Sequence, residues 1–386
     1  MVLQLHTARG PRKMTIGTKL RNVTWSMVLV ICTVASIGFA MLYSAAHGSY
    51  DPWMDRQMGR FGIGFVMMLA IAMVDLRRLM KIAYPLYAIA FVLLIYVDVA
   101  GEIGMGAQRW IDLKIIQLQP SEIMKIALVM ALARYFHGFT FEDMGRPTVL
   151  IIPTLMALLP TGLVLKQPDL GTALMLTMVG GAIFFAAGVR WWKFAVVFAI
   201  AIAGAYLAWN SDLLHDYQKK RVLTFLDPGQ DALGAGYHIT QSKIALGSGG
   251  VFGKGFLQGS QSHLDFLPER QTDFIFTMFA EEFGMVGGVV LVCLYSLLVL
   301  YGIVIALRSR SHFGRLLAYG LSANLFLYFF INTAMVMGLI PVVGIPLPLI
   351  SYGGTAMMTV MIGFGLVISV YVHRDMRLGR RSSDDE

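Results

Sequence analysis

An all-α polytopic membrane protein, with ten transmembrane helices and one long extracytoplasmic loop, is the fold class this sequence predicts. Three observations predict it. Of the 386 residues 57% are hydrophobic and only 14% are charged, with a mean hydropathy of +0.67, whereas a soluble domain carries about a quarter charged residues. Apolar runs recur near the ~20 residues that a helix needs to cross a bilayer. The Lys and Arg residues behind the net charge of +8 lie between those runs rather than on one soluble surface, which sets nucleic acid aside as a partner.

The first run, 25–43, follows a basic N-terminus (Arg9, Arg12, Lys13, Lys19, Arg21). It is too long for the apolar core of a typical signal peptide, so it reads as an uncleaved first span. Further spans are expected at 61–74, 83–100, 121–136, 148–165, 172–188, 194–209, 285–307, 316–340 and 350–372, the second and fourth being short. Basic residues then orient the set. Nineteen fall on one side: five in the N-tail, then Arg77, Arg78, Lys81, Arg134, Arg146, Arg190, Lys193, Arg308, Arg310, Arg315, Arg374, Arg377, Arg380 and Arg381. The short loops of the other side hold five: Arg56, Arg60, Arg109, Lys114 and Lys166. The positive-inside rule makes both termini cytoplasmic. Cys32 and Cys293 both lie in apolar runs, so no disulfide framework is implied. No internal repeat supports an inverted-repeat transporter. The chain is expected to form one membrane domain over 1–386, with 210–272 as a long extracytoplasmic loop too varied and aromatic to be a linker.

Charge at membrane depth is costly and marks function. In Gln119-Pro120-Ser121-Glu122, with Lys125 following, Pro and Ser start a helix, and Glu122 suits its dipole and pairs with Lys125 at i,i+3. On spacing alone, a capped helix with a local ion pair is the plainer reading of that pattern. Arg109 beside Trp110 reads as an interfacial anchor or an anion contact. Asp169, in Gln167-Pro168-Asp169-Leu170-Gly171-Thr172, reads first as a helix cap. The glycine-rich run 247–255 departs from the P-loop pattern, with Ser248 and Gly255 at the wrong places; its backbone amides could still cradle a pyrophosphate. Lys243 and Lys254 make the long loop cationic, for which a solvated face is the plain reading. In Phe266-Leu267-Pro268-Glu269-Arg270-Gln271-Thr272-Asp273-Phe274-Ile275-Phe276, residues 273–284 extend the next span as a helix at the water–lipid boundary, where Thr272 and Asp273 serve either as caps or as chemistry.

These residues together resemble the shape, elongation, division and sporulation (SEDS) family of peptidoglycan glycosyltransferases. The resemblance runs from the first span to the tenth, on 106–110, 119–122, 167–171, 234–238, 241–255, 266–276 and 346–354. One departure is Gln271, where the family commonly has His, so position 271 is assigned no catalytic role. The resemblance implies a bacterial inner-membrane enzyme of cell elongation and cell shape that polymerises lipid II on the extracytoplasmic face, within the elongation machinery. It also implies a class B penicillin-binding protein partner to supply transpeptidation, because this chain has no Ser-x-x-Lys nucleophile.

Joining an α-linked sugar pyrophosphate through a β-1,4 bond inverts the anomeric carbon. A single displacement of that kind needs one general base and positive charge on the departing pyrophosphate. With the resemblance in hand, Asp273 is the expected base, with its pKa raised by partial desolvation. Arg109 is the first candidate for pyrophosphate contact, followed by Lys125, Lys243 and Lys254. Glu122 is expected to hold Lys125. Asp169 is expected either to orient its loop or to bind a divalent cation (Mg or Mn), and both readings stay open. Two other functions compete: a lipid II flippase, against which the mostly charge-free spans speak, and a non-catalytic activator of the partner transpeptidase.

Overall fold

The computed structural model describes residues 14–104, 107–112, 117–211, 219, 223–225, 227, 235–260 and 269–379. Gly106, Lys114, 215–218, Lys220, Arg221, Gly234, 261–268 and the tail residues Arg9, Arg12, Lys13, Arg380 and Arg381, which enter the motifs or the charge count, lie outside the described residues. Among the described residues a short helix α1 (Ile16–Arg21) leads into α2 (Trp25–Ala45), α3 (Met54–Ala72), α4 (Leu76–Ala100), α5 (Pro120–His137), α6 (Pro147–Lys166), α7 (Leu170–Ala186) and α8 (Trp191–Asn210). Then follow α9 (Ala235–Ser248), α10 (Ile275–Arg308), α11 (His312–Val336) and α12 (Gly354–Val372). Apart from α1 and α9, each helix overlays one expected span, in order. The protein is a helical, polytopic integral membrane protein.

Seven helices (α2, α4, α6, α8, α10, α11, α12) are long and apolar enough to cross a membrane by length and composition alone. The other three are 19, 18 and 17 residues long. In α3 the apolar run is broken by Asp55, Arg56 and Arg60, and in α5 by Glu122, Lys125 and Arg134. The reason is clearest in α5, which is buried along nearly its whole length and packs on α4, α6, α7, α11 and α12. A helix wrapped by protein is free to carry polar groups that a lipid-facing helix cannot. At the other extreme, α8 buries none of its residues.

Helix starts follow local chemistry. Pro120 and Pro147 occupy first-turn positions of α5 and α6, where a missing N–H costs nothing. Asp75 caps α4 by accepting from Arg77 N at 2.8 Å, and Ser311 caps α11 by accepting from Gly314 N at 3.3 Å. The tenth span begins at Gly354 rather than 350, because Pro346 and Pro348 belong to a non-helical stretch folded against the start of α10. Three short antiparallel strands, β1 (Glu102–Gly104), β2 (Ala107–Asp112) and β3 (Gln117–Leu118), precede α5. Nothing in the alternation of so short a segment announces them.

The glycine-rich run resolves against the phosphate-cradle reading. Helix α10 is broken at Gly284, which has φ 66°, and a broken helix leaves backbone groups that must be paired elsewhere. Lys254 N and Gly255 N donate to Glu281 O and Glu282 O at 3.0 Å each, while Met285 N and Val286 N donate to Gly250 O at 2.9 Å and Val251 O at 3.1 Å. The amides of Lys254 and Gly255 thus repair the kink instead of facing an anion. The two segments touch so closely that a Cβ on Gly284 would lie 2.3 Å from Gly253 N. Glycine is required there for contact and conformation together.

Candidate active site

Segments distant in sequence meet at the end of the bundle where α5, α7 and α10 begin and α11 ends. Asp273 lies in a tight turn just before α10. Thr272 N and Phe274 N close that turn by donating to Glu269 O at 3.1 and 3.3 Å, and Thr272 Oγ1 donates to the Glu269 carboxylate at 2.9 Å. The stretch between α11 and α12 holds it from the other side. Tyr352 N donates to Gln271 O at 2.8 Å, Ser351 Oγ to Thr272 O at 2.6 Å, and Asn332 Nδ2 to Asp273 O at 2.9 Å.

The backbone around Asp273 is therefore fixed while its carboxylate stays uncommitted. The N-cap position of α10 is Phe274, with no side-chain capping bond, so the capping reading of Thr272 and Asp273 is not what the structure forms. Gly344, at φ 70°, lies against the carboxylate: a Cβ there would come within 3.3 Å of Asp273 Oδ2. Burial pushes the Asp273 pKa up to about 6 from 3.8, helped by the negative charges of Glu269 and then Asp169. Each of these acts by disfavouring the ionised form.

Asp169 is spent on structure. It caps α7, with Oδ1 accepting from Thr172 N at 3.1 Å and Oδ2 from Thr172 Oγ1 at 2.9 Å, while Gln119 Nε2 stands 3.5 Å from Oδ2. That donor set does not suit a divalent cation. Among the described residues no group of three or more His, Cys, Asp or Glu side chains gathers to hold one.

Arg109, on β2, reaches the same turn. Its Nε donates to Gln167 O at 3.0 Å and its Nη2 to Pro168 O at 2.5 Å, which ties the short sheet to the start of α7. Glu122 and Lys125 form the expected pair at 2.5 Å, both buried, and Tyr328 of α11 completes it. Tyr328 donates to Glu122 Oε2 at 2.5 Å, and Lys125 Nζ also contacts its hydroxyl. Lys243, on α9, is exposed and packs over Gly338 at the end of α11. Lys254 lies apart from this cluster. Its Nζ is 2.7 Å from the fully buried Glu281, eight residues and so roughly 12 Å along α10 from Asp273.

Sequence reasoning missed several members of the cluster. Asn332, Ser351 and Tyr328 look like ordinary polar residues of a span, and only the 346–354 motif hinted at one of them. Arg60, read only as a topology marker, stacks its guanidinium 4.8 Å above the Tyr352 ring, beside the Gln271–Tyr352 contact.

Fold and site together define a polytopic membrane protein with a raised-pKa carboxylate, near a buried Glu122–Lys125–Tyr328 cluster, at one end of its helical bundle. The chain belongs to the FtsW/RodA/SpoVE family, described as "Cell cycle protein", which it matches over residues 23–376. It is 44% identical to the peptidoglycan glycosyltransferase MrdB of Escherichia coli over 369 residues, covering 95% of this chain and 98% of that protein. Among solved structures it is similar to a chain described under "Structural coordination of polymerization and crosslinking by a peptidoglycan synthase complex". There the TM-score is 0.80 at 33% identity, with 91% of this chain and 98% of that chain covered. It is also similar to the rod shape determining protein RodA of Thermus thermophilus, with a TM-score of 0.69 at 30% identity and coverage of 92% and 98%.

Proposed function

We propose that this protein is a peptidoglycan glycosyltransferase of the bacterial inner membrane, which polymerises lipid II into β-1,4 glycan strands by inverting transfer during cell elongation. The whole chain acts as one membrane domain in this reading. The observation that carries it is Asp273: a carboxylate on a rigid turn, free of capping duty, with a pKa raised to about 6. A base is most effective when its pKa approaches the working pH. Asp273 takes the proton of the acceptor hydroxyl as its oxygen attacks the anomeric carbon of the donor. The electron pair of the breaking C–O bond leaves with the pyrophosphate.

Cations must meet that charge. Arg109 offers its remaining Nη1 edge while its other donors hold the Asp169 turn, and exposed Lys243 stands at the rim. Buried Lys125, paired with Glu122 and Tyr328, positions the start of α5. Lys254 holds the Gly284 kink and drops out of the contact set. The partner is a class B penicillin-binding protein, in keeping with the synthase complex that one structural relative's description names. Both termini are cytoplasmic and Asp273 is extracytoplasmic, so lipid II must arrive already flipped.

Purified protein given labelled lipid II, with and without the partner, tests the reading. A ladder of glycan lengths is the expected product; translocation of lipid II without polymer would favour a flippase, and polymer only from the partner would favour an activator. Sidedness has its own test. In a background lacking Cys32 and Cys293, Gln258→Cys should react with an impermeant thiol reagent on intact spheroplasts, and Glu142→Cys only after the membrane is opened.

A further inference from the structure

Residues 249–257 belong to the stretch expected as a long extracytoplasmic loop, yet their backbone is not laid out for water. It runs beside the start of the membrane-crossing part of α10, where Met285 N donates to Gly250 O at 2.9 Å and Val286 N to Val251 O at 3.1 Å. Those two bonds set 250 and 251 at the depth where that helix enters the bilayer. Amides of the segment turn inward too. Gly249 N donates to Ala245 O at 3.2 Å, Gly253 N to Gly249 O at 2.9 Å, and Lys254 N and Gly255 N to the kink carbonyls. Irregular chain is tolerated near lipid when its backbone is paired within the protein.

What the segment leaves outside is apolar. Phe252 is 82% exposed and Val251 49%, and they continue a stripe of α10 on which Met285 is 62% and Val286 46% exposed. The one charged side chain between 249 and 257 is Lys254, and it is turned back into the protein, 2.7 Å from Glu281 Oε1 and 2.7 Å from Ser260 Oγ. A loop built for water would show its ammonium and hide its phenyl ring; this one does the reverse. We infer that Val251 and Phe252 seat this segment in the bilayer, their side chains among phospholipid chains at the headgroup boundary, where aromatic rings gather. Continuity with the exposed stripe of a membrane-spanning helix selects lipid as the occupant. The inference is independent of the polymerase reading and requires only that α10 crosses the membrane.

The test uses the full-length protein in phospholipid nanodiscs, in a background lacking Cys32 and Cys293. One spin label at a time is placed on Val251→Cys, Phe252→Cys, Met285→Cys or Gln258→Cys. Electron paramagnetic resonance reads how often each label collides with oxygen, which concentrates among lipid chains, and with nickel ethylenediaminediacetate, which stays in water. At 251 and 252 the ratio of oxygen to nickel collisions should match that at Met285 and exceed that at Gln258, with or without a class B penicillin-binding protein bound. A ratio at 251 and 252 equal to that at Gln258 would put the segment in water and overturn the inference. So would poor access to both reagents, or oxygen access lost on adding the partner, since either means that protein rather than lipid covers the ring. Should Phe252→Cys misfold, Val251→Cys decides alone.

Discussion

Replacing Asp273 by Asn separates a base from a cap through stability as well as activity. The folded protein holds the Asp273 proton to about pH 6 against an ordinary value of 3.8. Two units at ~1.4 kcal/mol each, discounted because the side chain keeps some contact with water, come to roughly 2–3 kcal/mol. The sign follows from linkage: a carboxyl whose pKa is raised on folding contributes stability that is fully present below about 3.8 and is lost as the pH climbs through about 6. Ionised Asp273 is thus a standing cost at neutral pH, and Asn carries no such charge.

Asp273→Asn should therefore melt at a higher temperature than the wild type near pH 7.5 in detergent, by an amount equivalent to ~2–3 kcal/mol, while forming no glycan. The gap should close as the pH falls toward about 4. In the wild type, kcat/KM should drop about tenfold per unit below roughly pH 6 as the base takes its proton. A variant less stable than the wild type at neutral pH, or a stability gap indifferent to pH, would show that Asp273 is a structural cap and would refute the assignment.

Other perturbations probe the surroundings. Glu122→Gln and Lys125→Met should each cost roughly 3–5 kcal/mol, since each strands a buried charge, and the double variant should lose less than the sum. Strict additivity in detergent melts would mean that the pair does not interact. Gly284→Ala places a methyl about 2.3 Å from Gly253 N at a left-handed φ, so folded protein should be lost from membranes, and a wild-type melting curve would contradict the kink repair. Arg109→Lys keeps the charge but cannot span Gln167 O and Pro168 O together; polymerisation should fall even where protein level does not, and full activity would reduce Arg109 to a point charge.

The parts of this molecule legible in its sequence are those encoded within one or two helical turns. Hydropathy located the helices, and the short i,i+3 spacing announced Glu122 and Lys125, which lie 2.5 Å apart. Pro120 marked a helix start, and the plain reading of Asp169 as a cap matches its bond to Thr172 N. What stayed hidden depends on residues far apart in the chain. Tyr328 completes the Glu122–Lys125 pair from 206 residues away, and Arg270 meets His47 across 223. Neither Tyr328 nor His47 carries a local signature of its partner.

The glycine-rich run shows why pattern alone misleads in a membrane protein. Glycines spaced along a turn fit an anion nest and a close backbone crossing equally, because both need small residues at unusual φ. What decides between them is where unsatisfied backbone lies. Gly284 opens α10, and near lipid the freed carbonyls and amides must find protein partners. The run 249–255 supplies them and so becomes a structural splint. The same logic assigns Lys254, whose amide repairs the kink and whose ammonium neutralises buried Glu281 at 2.7 Å. Arg270 and Arg60 lie elsewhere, against His47 at 3.1 Å and over the Tyr352 ring at 4.8 Å, two contacts that no charge count along the chain would have singled out.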